Sequence, residues 1–219
     1  MTHAHRTPLN RKGFTIVELM IATTVLSVIL VIVTVTMISI GNLYYKGINT
    51  ARIQDNVRNT TDEISQQLQL SVLPPETPLV NPVGVTAGAL SANIYAYCIG
   101  TTRYSYILNQ QIGSDTTKNQ VPHVLWRDST PAGGCTQNYG LLNAALTGGA
   151  ELVAPNSRLT NFSVSLSSPY SLTISEAYGD SDLLHLAGIN TTCNGLTGDQ
   201  FCSTAFLTTI VVQRITGSP

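Results

Sequence analysis

Charge is scarce in this chain. Only 11% of its 219 residues are Asp, Glu, Lys or Arg, and the formal net charge is −1, where globular domains usually carry about a quarter charged residues. Basic residues gather at the front. Arg6, Arg11 and Lys12 precede the first apolar run, and from Phe14 onward 8 basic residues stand against 12 acidic ones, a net of −4. Such a balance leaves no domain-wide positive field for a nucleic-acid backbone, which argues against duplex DNA binding by the bulk of the chain. Catalytic signatures are missing too. There is no Gly-x-Ser-x-Gly and no Gly/Lys/Ser phosphate loop, and acidic residues and His123 and His185 fall singly. The reading assigns no catalytic residue and no cofactor, and takes the chain as a non-enzyme.

Cysteine is limited to Cys98, Cys135, Cys193 and Cys202. No pair has the two-to-four-residue spacing of a zinc site, so disulfides in an oxidising compartment are the preferred reading over metal. Four cysteines allow three connectivities. The favoured one joins Cys98 to Cys135 and Cys193 to Cys202, the latter closing a short Gly-containing loop before the last strand. Asp180 and Asp182 in "GDSD" are two hard oxygen ligands and a weak calcium candidate. A calcium loop needs more such groups, and a polar turn is the plainer reading.

What the chain has in plenty is one apolar run. Phe14 to Ile40 contains a single charge, Glu18, and as a helix would extend roughly 40 Å, beyond the roughly 30 Å hydrocarbon core. No small-residue cleavage site follows it, as a secretory signal would require. A plain anchor explains the length but not a carboxylate in the apolar part, which costs several kcal/mol deep in a bilayer. The basic leader orients residues 1–13 to the cytoplasm and the remainder outward.

"RKGFTIVELMIA" closely resembles the class III signal of type IV prepilins and pseudopilins: a basic pair, Gly, Phe, Thr, Glu and a long apolar run. The resemblance implies that a prepilin peptidase recognises the leader with Arg11 and Lys12, cuts between Gly13 and Phe14, and methylates the new amine of Phe14. It also implies a filament core in which Glu18 pairs with the Phe14 amine of a neighbouring subunit, each offsetting part of the other's desolvation. Near the membrane face Glu18 could instead simply snorkel, and both can hold at different stages. Many major pilins carry a proline in this span where this chain has Val35.

From Asn42 to Val72 there is no proline, and Ile53, Val57, Ile64, Leu68 and Val72 form one helical stripe opposite Arg52, Asp55, Arg58, Asp62, Glu63 and Gln66. The spacing predicts an amphipathic helix running to about Leu73 and stopped by Pro74-Pro75. Its stripe lacks a sustained heptad, so packing on its own head is favoured over a coiled-coil stalk. Gly41 and Gly47 are weak points in it. Pro74 to Gly88 reads as a connecting loop. Strands are predicted over Ala92–Cys98, Arg103–Leu108, Val121–Arg127, Arg158–Leu166, Tyr170–Ala177 and Ala205–Ile215, with a hairpin at Ser167-Ser168-Pro169. The last, rich in β-branched residues, is predicted to be a buried strand near the C-terminus. Tyr95, Tyr97, Tyr104 and Tyr106 alternate along two candidate strands and read as cross-strand or half-buried sheet residues, although an aromatic ledge could also contact sugars or single-stranded DNA.

The expected fold is α+β, as in the pilin fold: a long N-terminal helix, half membrane-spanning and half amphipathic, packed on a mostly antiparallel sheet head. The expected division is a leader (1–13), a transmembrane or filament-core helix (14–41), its amphipathic continuation (42–73) and a β-rich extracytoplasmic head (74–219). "CNGLTGDQFCSTAFLTTIVVQR" resembles, more loosely, the C-terminal region of larger minor pilins of the PilW or GspJ kind. The family implies a filament subunit, first in the cytoplasmic membrane and then in a cell-surface pilus or pseudopilus. Implied partners are other pilins, the prepilin peptidase, the assembly platform and, before assembly, membrane lipid. The ligand of the head, DNA or a surface, is not specified. The rival readings are a type II secretion pseudopilin and, from another class, a membrane-anchored binding domain or enzyme.

Overall fold

The computed structural model describes residues 13–71, 75, 79–81, 94–114, 120–129, 148–195 and 198–214. The chain divides into two compact units, Met1–Leu43 and Tyr44–Pro219. One helix, α1 (Ile16–Leu70), enters both. No proline interrupts it, and it continues through Gly41 and Gly47.

In the second unit α1 buries Asn49, Ile53, Val57, Thr60, Thr61, Ile64 and Leu68. The predicted stripe is therefore the packed face, with Val72 outside the described residues. Arg52, Asp55, Arg58, Asp62 and Gln66 are exposed. The first five-stranded sheet comprises β1 (Leu79–Asn81), β2 (Ile94–Ile99), β3 (Thr102–Ile107), β6 (Leu125–Ser129) and β7 (Gly149–Glu151), in the order β1-β2-β3-β6-β7. All its pairings are antiparallel. The second holds β4 (Gln111–Ile112), β5 (Gln120–Val121), β8 (Ser157–Val164), β9 (Tyr170–Tyr178) and β12 (Ser203–Val211), in the order β12-β9-β8-β4-β5. Only β4 and β5 pair parallel. A small ribbon joins β10 (Leu184–His185) to β11 (Thr192–Cys193).

One apolar core links the three layers: Ile64 and Leu68 from α1, Tyr97, Tyr104 and Leu125 from the first sheet, Leu159, Leu172 and Ile174 from the second. Burying a side chain of this size stabilises the fold by about 1.5–3 kcal/mol. The four tyrosines of β2 and β3 belong to this packing. Tyr95 lies opposite Tyr106 and Tyr97 opposite Tyr104, the first pair stacked with ring centroids 5.0 Å apart.

Three expectations need correction. The Pro74–Gly88 stretch contains β1, paired with β2. The predicted strand Val121–Arg127 is split, because residues 122–124 break between β5 and β6 and Pro122 cannot donate to a ladder. The C-terminal strand is not buried: β12 is the edge of its sheet, and Phe206 and Ile210 are 64% and 72% exposed. Its β-branched composition suits a pleated surface whether that surface is covered or not. The hairpin between β8 and β9 is present, with a cis Ser168–Pro169 peptide in its turn and a bulge between Leu159 and Asn161.

Candidate functional site: the start of the apolar helix

Residues 13–15 are non-helical and α1 begins at Ile16. The first helical hydrogen bond runs from the Leu19 N–H to the Thr15 carbonyl, 3.2 Å. Thr15 is therefore the N-cap. The Glu18 backbone N–H donates to Thr15 Oγ1 at 3.2 Å, while Glu18 Oε2 accepts from the Thr15 N–H and hydroxyl, both at 3.1 Å. This reciprocal arrangement is a capping box, which satisfies two backbone donors that a helix start otherwise leaves open. The carboxylate also lies where the helix dipole is positive. The sequence reading missed this role for Glu18, yet the signal was there as Thr-x-x-Glu before an apolar run.

Gly13 lies just outside the cap. A Cβ built on it would meet no atom within 4 Å among the described residues, so their packing does not demand glycine. Phe14 is 85% exposed. Arg11 and Lys12 lie outside the described residues.

Downstream, α1 is long and apolar enough to cross a membrane, and none of its most apolar window is buried within the chain. Its hydroxyls are satisfied locally. Thr23, Thr24 and Ser27 donate to the carbonyls of Met20, Ile21 and Thr24, three residues back. Thr34, Thr36 and Ser39 donate to those of Leu30, Ile32 and Val35, four residues back. A segment in hydrocarbon must satisfy its polar groups internally, and this one does.

The other candidates are not brought to this site. Cys193 and Cys202 form a disulfide beside Ala177 and Leu184. Cys98 is disulfide-bonded, and Cys135 lies outside the described residues. Asp180 precedes a 3-10 turn (Ser181–Leu183) that contains Asp182. Among the described residues no group of three or more His, Cys, Asp or Glu converges to hold a metal.

The head holds a second feature that the sequence reading passed over. Glu176 on β9 is fully buried, and its Oε2 accepts from Asn56 Nδ2 on α1 at 2.6 Å. Oε1 has no partner. Burial pushes the Glu176 pKa up to about 8, against the Asn56 hydrogen bond and helped by the nearby Glu151. Strand parity was the signal, since Glu176 lies two and four residues beyond the apolar Ile174 and Leu172.

A family model described as the prokaryotic N-terminal methylation motif matches residues 8–34. The segment carries the type IV prepilin and pseudopilin signal, and it supports a type IV pilin-like or pseudopilin precursor. Membrane anchoring through the apolar helix fits the same motif. No curated protein and no solved structure matches the chain.

Proposed function

We propose that this chain is a subunit of a type IV pilus-like filament, of the minor pilin kind, made as a single-pass membrane precursor. Its leader is removed between Gly13 and Phe14, the new amine is methylated, and the apolar half of α1 passes from lipid into a bundle of neighbouring pilin helices. The observation that carries this reading is the coincidence of the methylation motif with a capped, outward-facing apolar helix.

Glu18 has a part at each stage. Both contacts with Thr15 use Oε2, which leaves Oε1 for a second donor. In lipid the cap keeps the carboxylate at the helix start. In the filament the methylated amine of a neighbour's Phe14 meets Oε1, and each charge offsets part of the other's desolvation. The pairing sets the axial register of the subunits. Prepilin peptidase and the membrane assembly platform are the partners this implies. The head, outside the cell, supplies the contact surface for adhesion, motility or DNA uptake.

Mass spectrometry of the mature N-terminus tests the reading. N-methylated Phe14 supports it, whereas an intact Met1 or cleavage after residue 41 sinks it. Gly13→Ala retains the leader, and because a Cβ there meets no atom of the described residues the retained precursor reports peptidase recognition rather than misfolding.

A further inference from the structure

Between residues 52–59 of α1 and the turn before β8 lies a cavity of about 430 Å³, within the usual size range of small-molecule sites. Arg52, Asp55 and Asn59 line it from the helix, Asn156 and Ser157 from the turn, and Tyr178 from the end of β9. A second cavity of about 200 Å³ shares Asn156 and Tyr178 and continues towards Gln111 and Gln120. Together they make one groove across the head.

Part of the polar lining serves the fold: Asn56 donates to Glu176, Gln111 to the Asn156 carbonyl and Gln120 to Gln111. In the groove, the side chains of Arg52, Asp55, Asn59 and Asn156 make no hydrogen bond or ion pair among the described residues. Ser157 is 1% exposed and its Oγ has no partner among the described residues. Buried polar groups are normally satisfied, so each exception calls for an explanation. The turn is also held in place. Asn156 adopts a left-handed backbone (φ 61°) and its carbonyl accepts from the buried Gln111 side chain at 3.1 Å.

The chemistry narrows the ligand. Carboxamides donate and accept at once, which matches hydroxyl groups that do the same. Arg52 and Asp55 are three residues apart on one helix and balance each other. Asp180 at the far end interacts with the buried Arg158, so charge is balanced there as well. The half-buried Tyr178 offers an aromatic surface between the two lobes. We propose that the groove binds a neutral oligosaccharide, with Asn59 and Asn156 bonding its hydroxyls and Tyr178 carrying the C–H face of a sugar ring. The two lobes accommodate more than one sugar unit.

The test uses the full-length chain in a zwitterionic detergent, free of sugar head groups. It is titrated with cellotetraose, tetra-N-acetylchitotetraose, maltotetraose and N-acetyllactosamine, and with a heparin tetrasaccharide as the anionic comparison. Binding of at least one neutral probe, weakened tenfold or more by both Asn59→Ala and Asn156→Gly, is the expected result. Asn59 is exposed on a helix and Gly accepts the left-handed backbone at 156, so both variants keep the fold, as circular dichroism checks. No binding of any neutral probe, preference for the heparin tetrasaccharide, or unchanged affinity in the variants overturns the proposal. So does concentration-dependent self-association that the same variants abolish, which would give the groove to a second copy. None of these readouts involves Phe14 or the leader, so the proposal fails or stands separately from the filament reading.

Discussion

Thr15 and Glu18 hold each other. The Thr15 hydroxyl accepts the Glu18 backbone N–H while Glu18 Oε2 accepts two hydrogen bonds from Thr15. The one acidic residue in the apolar run therefore serves its own helix before it serves any neighbour.

That double duty separates two variants. Glu18→Gln keeps an acceptor for the cap and loses the charge, whereas Glu18→Ala loses both. Both are expected to be processed normally and to lower filament incorporation at least tenfold, measured by immunoblotting of sheared filaments. Glu18→Gln assembling like wild type would assign the role to the cap. Thr15→Ala weakens the helix start by about 1 kcal/mol, read as faster amide exchange at residues 16–19.

Glu176 makes head stability depend on pH. Its pKa is raised to about 8 in the folded chain and lies near the ordinary glutamate value when unfolded. The folded state therefore binds the extra proton between these values. Stability is greatest below the unfolded pKa and falls as pH rises through about 8, with a slope of up to about 1.4 kcal/mol per pH unit. Glu176→Gln should flatten that slope in denaturant titrations from pH 5 to 9. An unchanged slope would show that another group is responsible.

The Cys193–Cys202 disulfide spans nine residues of separation. Closing a loop that short contributes about 2–3 kcal/mol in the chain-entropy account. The double variant Cys193→Ser/Cys202→Ser should melt lower than wild type, and adding reductant should narrow the difference between them.

Ile64 and Phe206 contrast core with edge. Ile64 is fully buried in the core, and Ile64→Ala should cost about 2–5 kcal/mol. Phe206 faces outward on β12, and Phe206→Ser should change stability by no more than about 0.5 kcal/mol. Equal losses in chemical denaturation would mean that the outer face of β12 is covered in solution.

Much of this was legible in the residues. The methylation signal is contiguous, so Gly13, Phe14 and Glu18 stand out without a fold. The stripe Ile53, Val57, Ile64 and Leu68 follows from helical period alone, as do most strands from local alternation. The cap at Thr15 was equally local and went unread.

Long-range geometry decided the rest. Periodicity tells which residues share a face, not which face another layer will cover. So β12, rich in Val, Ile and Thr, was expected inside and lies at an edge. The Glu176–Asn56 bond joins residues 120 apart in sequence, and no local pattern names such a partner. The Asn156 groove likewise exists only because a helix, a turn and a strand end meet there. Local chemistry determined how the chain begins, and three-dimensional packing alone decided which polar groups were buried, paired or left over.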